Sequence, residues 1–406
     1  YQQSKDKENL EAAEKAMKTI RNTIGTPIGL WAGDELIRFG DPIYGSELCT
    51  AVEMMYSLEN MLEITGNMQW ADQLERIAYN ALPTQISDDA QARQYYQQVN
   101  QIAVVNDYHN FSTPHEGTDN LFGTLTGYPC CSSNLHQGWP KFVQHLWYAT
   151  VDNGVAALVY ASSEVKMQVA NNILVNIKEE TYYPFDETVS FSITYPDKKI
   201  KKATFPFHLR VPEWCKKPIV NLNGQTIKTD VTGERMIILN REWQQNDKIT
   251  IEFPATISIS HWFDGGAVVE RGPLVYALKL NEKWEKKTFD SPKDQEQYGE
   301  WYYQVTTDSP WNFAFKHNQI HKDGIEKNFI VEKKKNIATY PWTSADAPIT
   351  IRSKAYRLPG WTENRNSTGS IAYLVQHHDS PEPKEYDIEL IPYGCSTLRI
   401  TLFPVR

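Results

Sequence analysis

Two cysteine motifs about eighty residues apart constrain this chain more than any other feature. Gly45-Ser46-Glu47-Leu48-Cys49-Thr50 carries a Glu-x-Cys, and Tyr128-Pro129-Cys130-Cys131-Ser132-Ser133-Asn134 carries an adjacent pair. Neighbouring cysteines on a trans peptide point apart, and disulfide geometry is narrow, so Cys130 and Cys131 are poorly placed to bridge each other. Three thiols and one carboxylate are enough to fill a tetrahedral zinc site. A metal shared by Glu47, Cys49, Cys130 and Cys131 would staple two distant segments. The spacing is not the CxxC knuckle of common zinc modules. The alternative is that Cys49 is a small buried hydrophobe and the pair fills a core corner. Cys215 and Cys395 stand apart, and five cysteines in 406 residues make no disulfide scaffold.

The charge of such a cluster bears on chemistry. One carboxylate and three thiolates carry four negative charges against two on zinc. A sulfur of this electron-rich group that faces a cleft stays nucleophilic. Covalent chemistry at a sugar also needs a proton donor. Glu35, in Gly33-Asp34-Glu35, stands about twelve residues before Glu47 in the turn-rich stretch 31–44. A loop carboxyl there suits the two duties of an acid/base, protonating a leaving oxygen and then activating water. The plain alternative is a solvated turn. As an acid, Glu35 is expected to be partly buried beside the anionic cluster.

Other polar residues have simpler readings. Glu53, Glu59 and Glu63 follow Cys49 and read as exposed or paired helix residues. His136 sits beside the cysteine pair and reads as a structural histidine, with a ligand role as the alternative. His377-His378 read as exposed in a polar loop. Asn110-Phe111-Ser112 and Asn366-Ser367-Thr368 match the glycosylation acceptor pattern, a signal of low specificity. No phosphate-binding glycine loop and no nucleophile elbow is present.

Composition narrows the classes. A net charge of -9 argues against nucleic acid as a partner. Mean hydropathy is -0.53 and no long apolar run occurs, so no membrane span is expected. Twelve tryptophans suit stacking on sugar rings, although cores use aromatics too. The chain opens at Tyr1 without a signal-peptide pattern, and its start reads as internal.

Periodicity divides the chain. Leu10, Ala13, Met17 and Ile20 form an amphipathic stripe predicting a helix over 5–24. Similar patterns predict helices over 49–64, 70–82 and 132–148, with Pro140 ending or kinking the last. From Val155 onward, short β-branched or alternating runs predict strands at 155–160, 165–169, 189–195, 205–211, 236–239 and 249–253, with more between 268 and 278 and near the end. Turns at Asn223-Gly224 and Thr232-Gly233 fit β-sandwiches. The expected domains are a helical segment over 1–148, a β-sandwich over 149–260 and a second over 261–406. Residues 283–348 read as an irregular insertion.

These motifs resemble glycoside hydrolase family 127 and its relatives, the DUF1680 group. The resemblance rests on Gly33-Asp34-Glu35, the two cysteine motifs and Gln137-Gly138-Trp139-Pro140-Lys141-Phe142. Leu209-Arg210-Val211-Pro212-Glu213-Trp214, Arg271-Gly272-Pro273-Leu274-Val275-Tyr276 and Pro392-Tyr393-Gly394-Cys395 extend it. It runs from about Gly29 to the end, outside the insertion. The resemblance implies a zinc-dependent retaining β-L-arabinofuranosidase with an (α/α)6 barrel followed by β-sandwich domains. Glu47, Cys49, Cys130 and Cys131 would hold Zn2+. Cys130 would be the nucleophile and Glu35 the acid/base. The substrate would be an oligosaccharide or glycan, and family analogy suggests a periplasmic or secreted location.

One departure stands out. About five helices are predicted here, fewer than half of a complete barrel of six helix pairs. The fold class expected is therefore a partial (α/α)6-barrel helical segment followed by β-sandwich domains. A missing N-terminal segment or a second chain would complete the barrel, and α-helical faces near the start should be exposed. Alternatives are an inactive fragment, a carbohydrate-binding or structural protein, or a relative with another furanoside specificity.

Overall fold

The computed structural model describes residues 1–112, 115–371 and 384–406. His377-His378 lie outside the described residues. Contacts divide the chain into two units that cut across its linear order. One gathers Tyr1–Met55, Arg76–Gly138 and Ile257–Arg406, and the other Tyr56–Glu75 and Trp139–Thr256. The last third of the sequence thus shares a unit with most, though not all, of the first third.

Four helices of at least eight residues occur among the described residues: α1 (Lys7–Ile24), α2 (Leu48–Thr65), α3 (Gln69–Arg76) and α4 (Cys130–Gln144). Asp6 caps α1 by accepting from the Glu8 amide at 3.0 Å. No residue of α1 is buried, and its stripe Leu10, Ala13, Met17 and Ile20 stays half-exposed. On α2, by contrast, Ala51, Val52, Met55, Leu58 and Leu62 are buried. Pro140 does not end α4, which continues for another turn. The helix closes as the His145 amide donates to Phe142 O at 3.0 Å.

In the first unit, Gly45–Glu47 pairs antiparallel with Tyr96–Gln98, setting Glu47 opposite Tyr96. A seven-stranded antiparallel sheet built from strands between Ile257 and Pro392 forms the bulk of this unit. The stretch 283–348, expected to be irregular, contains the hairpin Lys283–Thr288 and Trp301–Thr306. That hairpin pairs with Phe122–Gly123, which in turn pairs with Arg93–Gln94. Backbone ladders far apart in sequence thus hold the segments around the cysteine motifs.

The second unit is a two-sheet sandwich. Its four-stranded sheet is centred on Lys202–Arg210 and Val155–Ala157, and its six-stranded sheet on Lys248–Glu252 and Thr188–Thr194. Phe191 of one sheet meets Phe207 of the other edge-on at 5.2 Å, and both are fully buried. Arg210, also fully buried, pairs with Glu75 and, at 2.7 Å, with Asp72. A buried ion pair of this kind fixes geometry more than it adds stability.

Candidate active site and metal centre

Two helix starts supply the sulfurs. Cys49 lies in the first turn of α2, and Cys130 and Cys131 open α4. Unpaired amides at a helix N-terminus carry partial positive charge, which favours thiolate over thiol. The chain is led into α2 by the ladder: the Leu48 amide donates to Tyr95 O at 3.0 Å. Gly45 permits this, because a Cβ there would lie 2.8 Å from the Tyr96 ring.

The four side chains converge. One ligand atom from each of Glu47, Cys49, Cys130 and Cys131 falls in a group spanning no more than 4.8 Å. Cys49 Sγ lies 3.3 Å from Cys131 Sγ, and Cys130 Sγ lies 3.9 Å from Cys131 Sγ. Glu47 Oε1 is 3.2 Å from Cys130 Sγ and 3.6 Å from Cys131 Sγ. A tetrahedral zinc with sulfur at about 2.3 Å sets ligand atoms roughly 3.5–3.8 Å apart. The donor set and its spacing therefore fit a metal ion. All three cysteines are free, so the reading of Cys49 and the pair as core filler accounts for Cys131 alone, which is fully buried.

Neighbours that the sequence reading did not single out surround the cluster. Asn134 Nδ2 donates to Cys49 Sγ at 3.1 Å. Arg93, buried, donates to Tyr128 O at 2.9 Å, to Ser132 Oγ at 3.1 Å and to Thr126 O. Its guanidinium attracts the charges of Cys131, Cys130 and Cys49. The Cys130 thiol is held below its ordinary range, first by its hydrogen bond with Cys131. Burial drives Cys131 far the other way.

Glu35 is exposed rather than partly buried, and its backbone takes a positive φ of 70°. Tyr95 and Tyr96 donate their hydroxyls to Glu35 Oε1 at 3.2 and 3.4 Å. Asp34, fully buried, anchors the turn: it accepts from Arg38 Nε at 2.9 Å and from the Ser112 amide at 2.8 Å. Tyr96 also faces Glu47 across the ladder, so one tyrosine links the loop carboxyl to the cluster.

The remaining sequence candidates fall away from this centre. His136 is exposed on α4 and belongs to no metal-binding group among the described residues. Glu59 is fully buried and paired with His145 at 3.2 Å. Asn110 Nδ2 donates to Asn364 O at 3.1 Å, and Asn366 Nδ2 to Tyr108 O at 3.1 Å, so both acceptor-pattern asparagines are used within the fold. A two- or three-residue strand gives no periodic signal, so Arg93, Tyr95 and Tyr96 leave no mark in the sequence pattern.

A multidomain chain of helices and many sheets, with three cysteines and one glutamate grouped so that they could hold a metal, is the class that fold and site define. Sequence comparison makes this specific. Residues 1–144 match the beta-L-arabinofuranosidase GH127 catalytic domain, and residues 154–255 the GH127 middle domain. The chain belongs to glycoside hydrolase family 127. It is 24% identical over 245 residues to a non-reducing end beta-L-arabinofuranosidase of Bifidobacterium longum subsp. longum, covering 59% of this chain and 36% of that protein. A GH127 beta-L-arabinofuranosidase from Geobacillus stearothermophilus T6 shares the fold at a TM-score of 0.63 and 18% identity, over 90% of this chain and 51% of that one. A GH127 beta-arabinofuranosidase structure gives 0.66 and 16%, over 95% and 54%. The chain thus spans between about a third and a half of the length of these relatives. No helix among the described residues is long and apolar enough to cross a membrane.

Proposed function

We propose that this chain carries the catalytic groups of a zinc-dependent retaining glycoside hydrolase acting on arabinofuranose-type sugars. The observation that carries the reading is the convergence of Glu47, Cys49, Cys130 and Cys131, with Glu35 tied to the same ladder through Tyr96. Zinc bound by these four residues would keep their sulfurs deprotonated at neutral pH. Cys130, half-exposed at the start of α4, attacks the anomeric carbon as thiolate. Glu35 gives its proton to the departing glycosidic oxygen. A sugar–sulfur bond forms as the carbon–oxygen bond breaks. Glu35, now carboxylate, takes a proton from water, which displaces Cys130 and restores the starting configuration. Tyr95 and Tyr96 hold the carboxyl in place through both steps. Arg93 offsets the negative charge of the cluster.

The division into a helical part over 1–148 and sandwich domains over 149–260 and 261–406, the first two near the matched family ranges, belongs to the same proposal. The chain matches only about a third to a half of each relative's length, and a second reading is that it binds glycan without cleaving it. Zinc content together with release of nitrophenol from a panel of aryl furanosides separates the readings. Zinc near one per chain with cleavage of the β-L-arabinofuranoside supports the first. Zinc without cleavage supports the second, and cleavage of a different furanoside moves the specificity.

A further inference from the structure

The reaction above makes no use of His115, yet its imidazole stands against two tyrosines, one bonded to Glu35 and one close in sequence to Cys130. Its ring stands edge-on to Tyr95 at 5.4 Å and 6.1 Å from the ring of Tyr128. Tyr95 donates to Glu35, and Tyr128 precedes Cys130 by two residues. Nδ1 of His115 lies 2.5 Å from Asp119 Oδ1, whose side chain is 6% exposed. Nε2 has no hydrogen-bond partner among the described residues, and the His115 side chain is 22% exposed.

The loop bearing this pair is fixed. Thr118 donates twice to His115 O, from its amide at 2.9 Å and its hydroxyl at 2.7 Å. The Thr118 hydroxyl accepts from the Gly127 amide at 3.0 Å, and Asp119 O accepts from the Tyr96 amide at 2.9 Å. The loop is therefore tied to the segments carrying Tyr128 and Tyr96.

His109 provides a contrast six residues earlier. It is 5% exposed, with Nδ1 2.9 Å from Asp107 O and Nε2 2.7 Å from Asn120 Nδ2. Both of its nitrogens are used, as in a structural histidine. His115 has one nitrogen held by a carboxylate while its side chain stays 22% exposed, the arrangement of an oriented imidazole rather than a core one.

We propose that His115 is a substrate-binding residue: with Nδ1 held by Asp119, its Nε2 hydrogen-bonds one ring or side-chain hydroxyl of the furanose placed between Glu35 and Cys130. The inference rests on the function proposed above, and Asp119 is its positioning residue. The hydrogen bond with Asp119, ahead of the opposing burial, raises the pKa of His115, and Nε2 can exchange a hydrogen bond with a hydroxyl in either protonation state. A hydrogen-bonding group at this place selects a sugar by the presence of that hydroxyl, since a site built to bond a hydroxyl penalises its absence.

The test compares the zinc-loaded chain with His115→Ala, His115→Gln and Asp119→Asn. Substrates are nitrophenyl β-L-arabinofuranoside and its 2-, 3- and 5-deoxy analogues, with calorimetric binding of L-arabinose as a readout free of turnover. The expected result is a kcat/KM loss of roughly 10- to 100-fold for His115→Ala on the parent, and about threefold or less on one deoxy analogue. Asp119→Asn follows the same pattern and moves the 15N shifts of the His115 ring. Zinc content and melting temperature should match the parent; if the alanine variant does not fold, His115→Gln carries the comparison. An equal loss on all four substrates, or none, overturns the inference while leaving the function intact. A parent chain that neither binds nor cleaves the furanoside overturns the function, and this inference with it.

Discussion

Glu47 and Tyr96 face each other across a three-residue ladder, and the hydroxyl of Tyr96 reaches Glu35 at 3.4 Å. Glu47, one of four residues grouped so that they could hold a metal, and the proposed acid/base are therefore linked through one pair of strands.

The metal is tested by composition. The chain should carry close to one zinc, measured by plasma mass spectrometry. Cys49→Ala should lose most of it, and melting temperature should fall by about 5 °C, because a ligand well above its Kd stabilises by a few kcal/mol. Cys130→Ser should retain part of the zinc and lose turnover. Full zinc in Cys49→Ala would remove Cys49 from the ligand set.

Glu35→Gln separates proton donation from binding. Alkyl or sugar leaving groups depart poorly without protonation, so their kcat should drop on the order of 100- to 10,000-fold. Activated aryl furanosides need little protonation and should slow far less in the glycosylation step. Equal loss on both substrate types would place the acid elsewhere.

Arg93 joins the Tyr128 carbonyl and Ser132 to the underside of the cluster. Arg93→Gln removes the charge opposing the sulfurs and loosens the approach to Cys130. Zinc affinity, measured by chelator competition, should weaken roughly 10- to 100-fold, the usual cost of losing a supporting partner. An unchanged affinity would make Arg93 a purely structural residue.

His145 supplies a pH-dependent contribution in the second unit. Its Nδ1 lies 3.2 Å from Glu59 Oε2 and 2.7 Å from Lys141 O, and the bond to Glu59, first among the causes, raises its pKa above 6.5. The folded state then binds the proton more tightly than the unfolded one. The stabilisation is complete below about pH 6.5 and fades as pH rises through the folded value. Melting temperature should decline over that range, and His145→Gln should flatten the decline. A slope unchanged in the variant would assign it to other groups.

Local signals carried much of the helical reading. The stripe predicted over 5–24 appears as Lys7–Ile24, and the pattern over 49–64 as Leu48–Thr65. The helix predicted over 70–82 stops at Arg76 and continues as a π turn, Ile77–Ala81. The helix predicted to run to 148 ends at Gln144, and Trp147–Ala149 becomes a strand. Ile173–Thr181, missed in the sequence, is an interior strand next to the sheet edge, with partners Ser163–Val169 and Thr188–Thr194 on either side. Its mixed apolar and charged face takes its register from those neighbours, not from its own period.

The sequence by itself determined the donor chemistry. Residue type fixes which atoms can bind a metal or move a proton, and Glu47, Cys49, Cys130, Cys131 and Glu35 could be named from motifs alone. Only the tertiary structure decided what surrounds them. Arg93, Tyr95, Tyr96 and the His115–Asp119 pair come to the segments around the site through ladders and loop bonds between segments distant in sequence. Such placements follow from backbone pairing and burial summed over the whole fold, and no local window contains them.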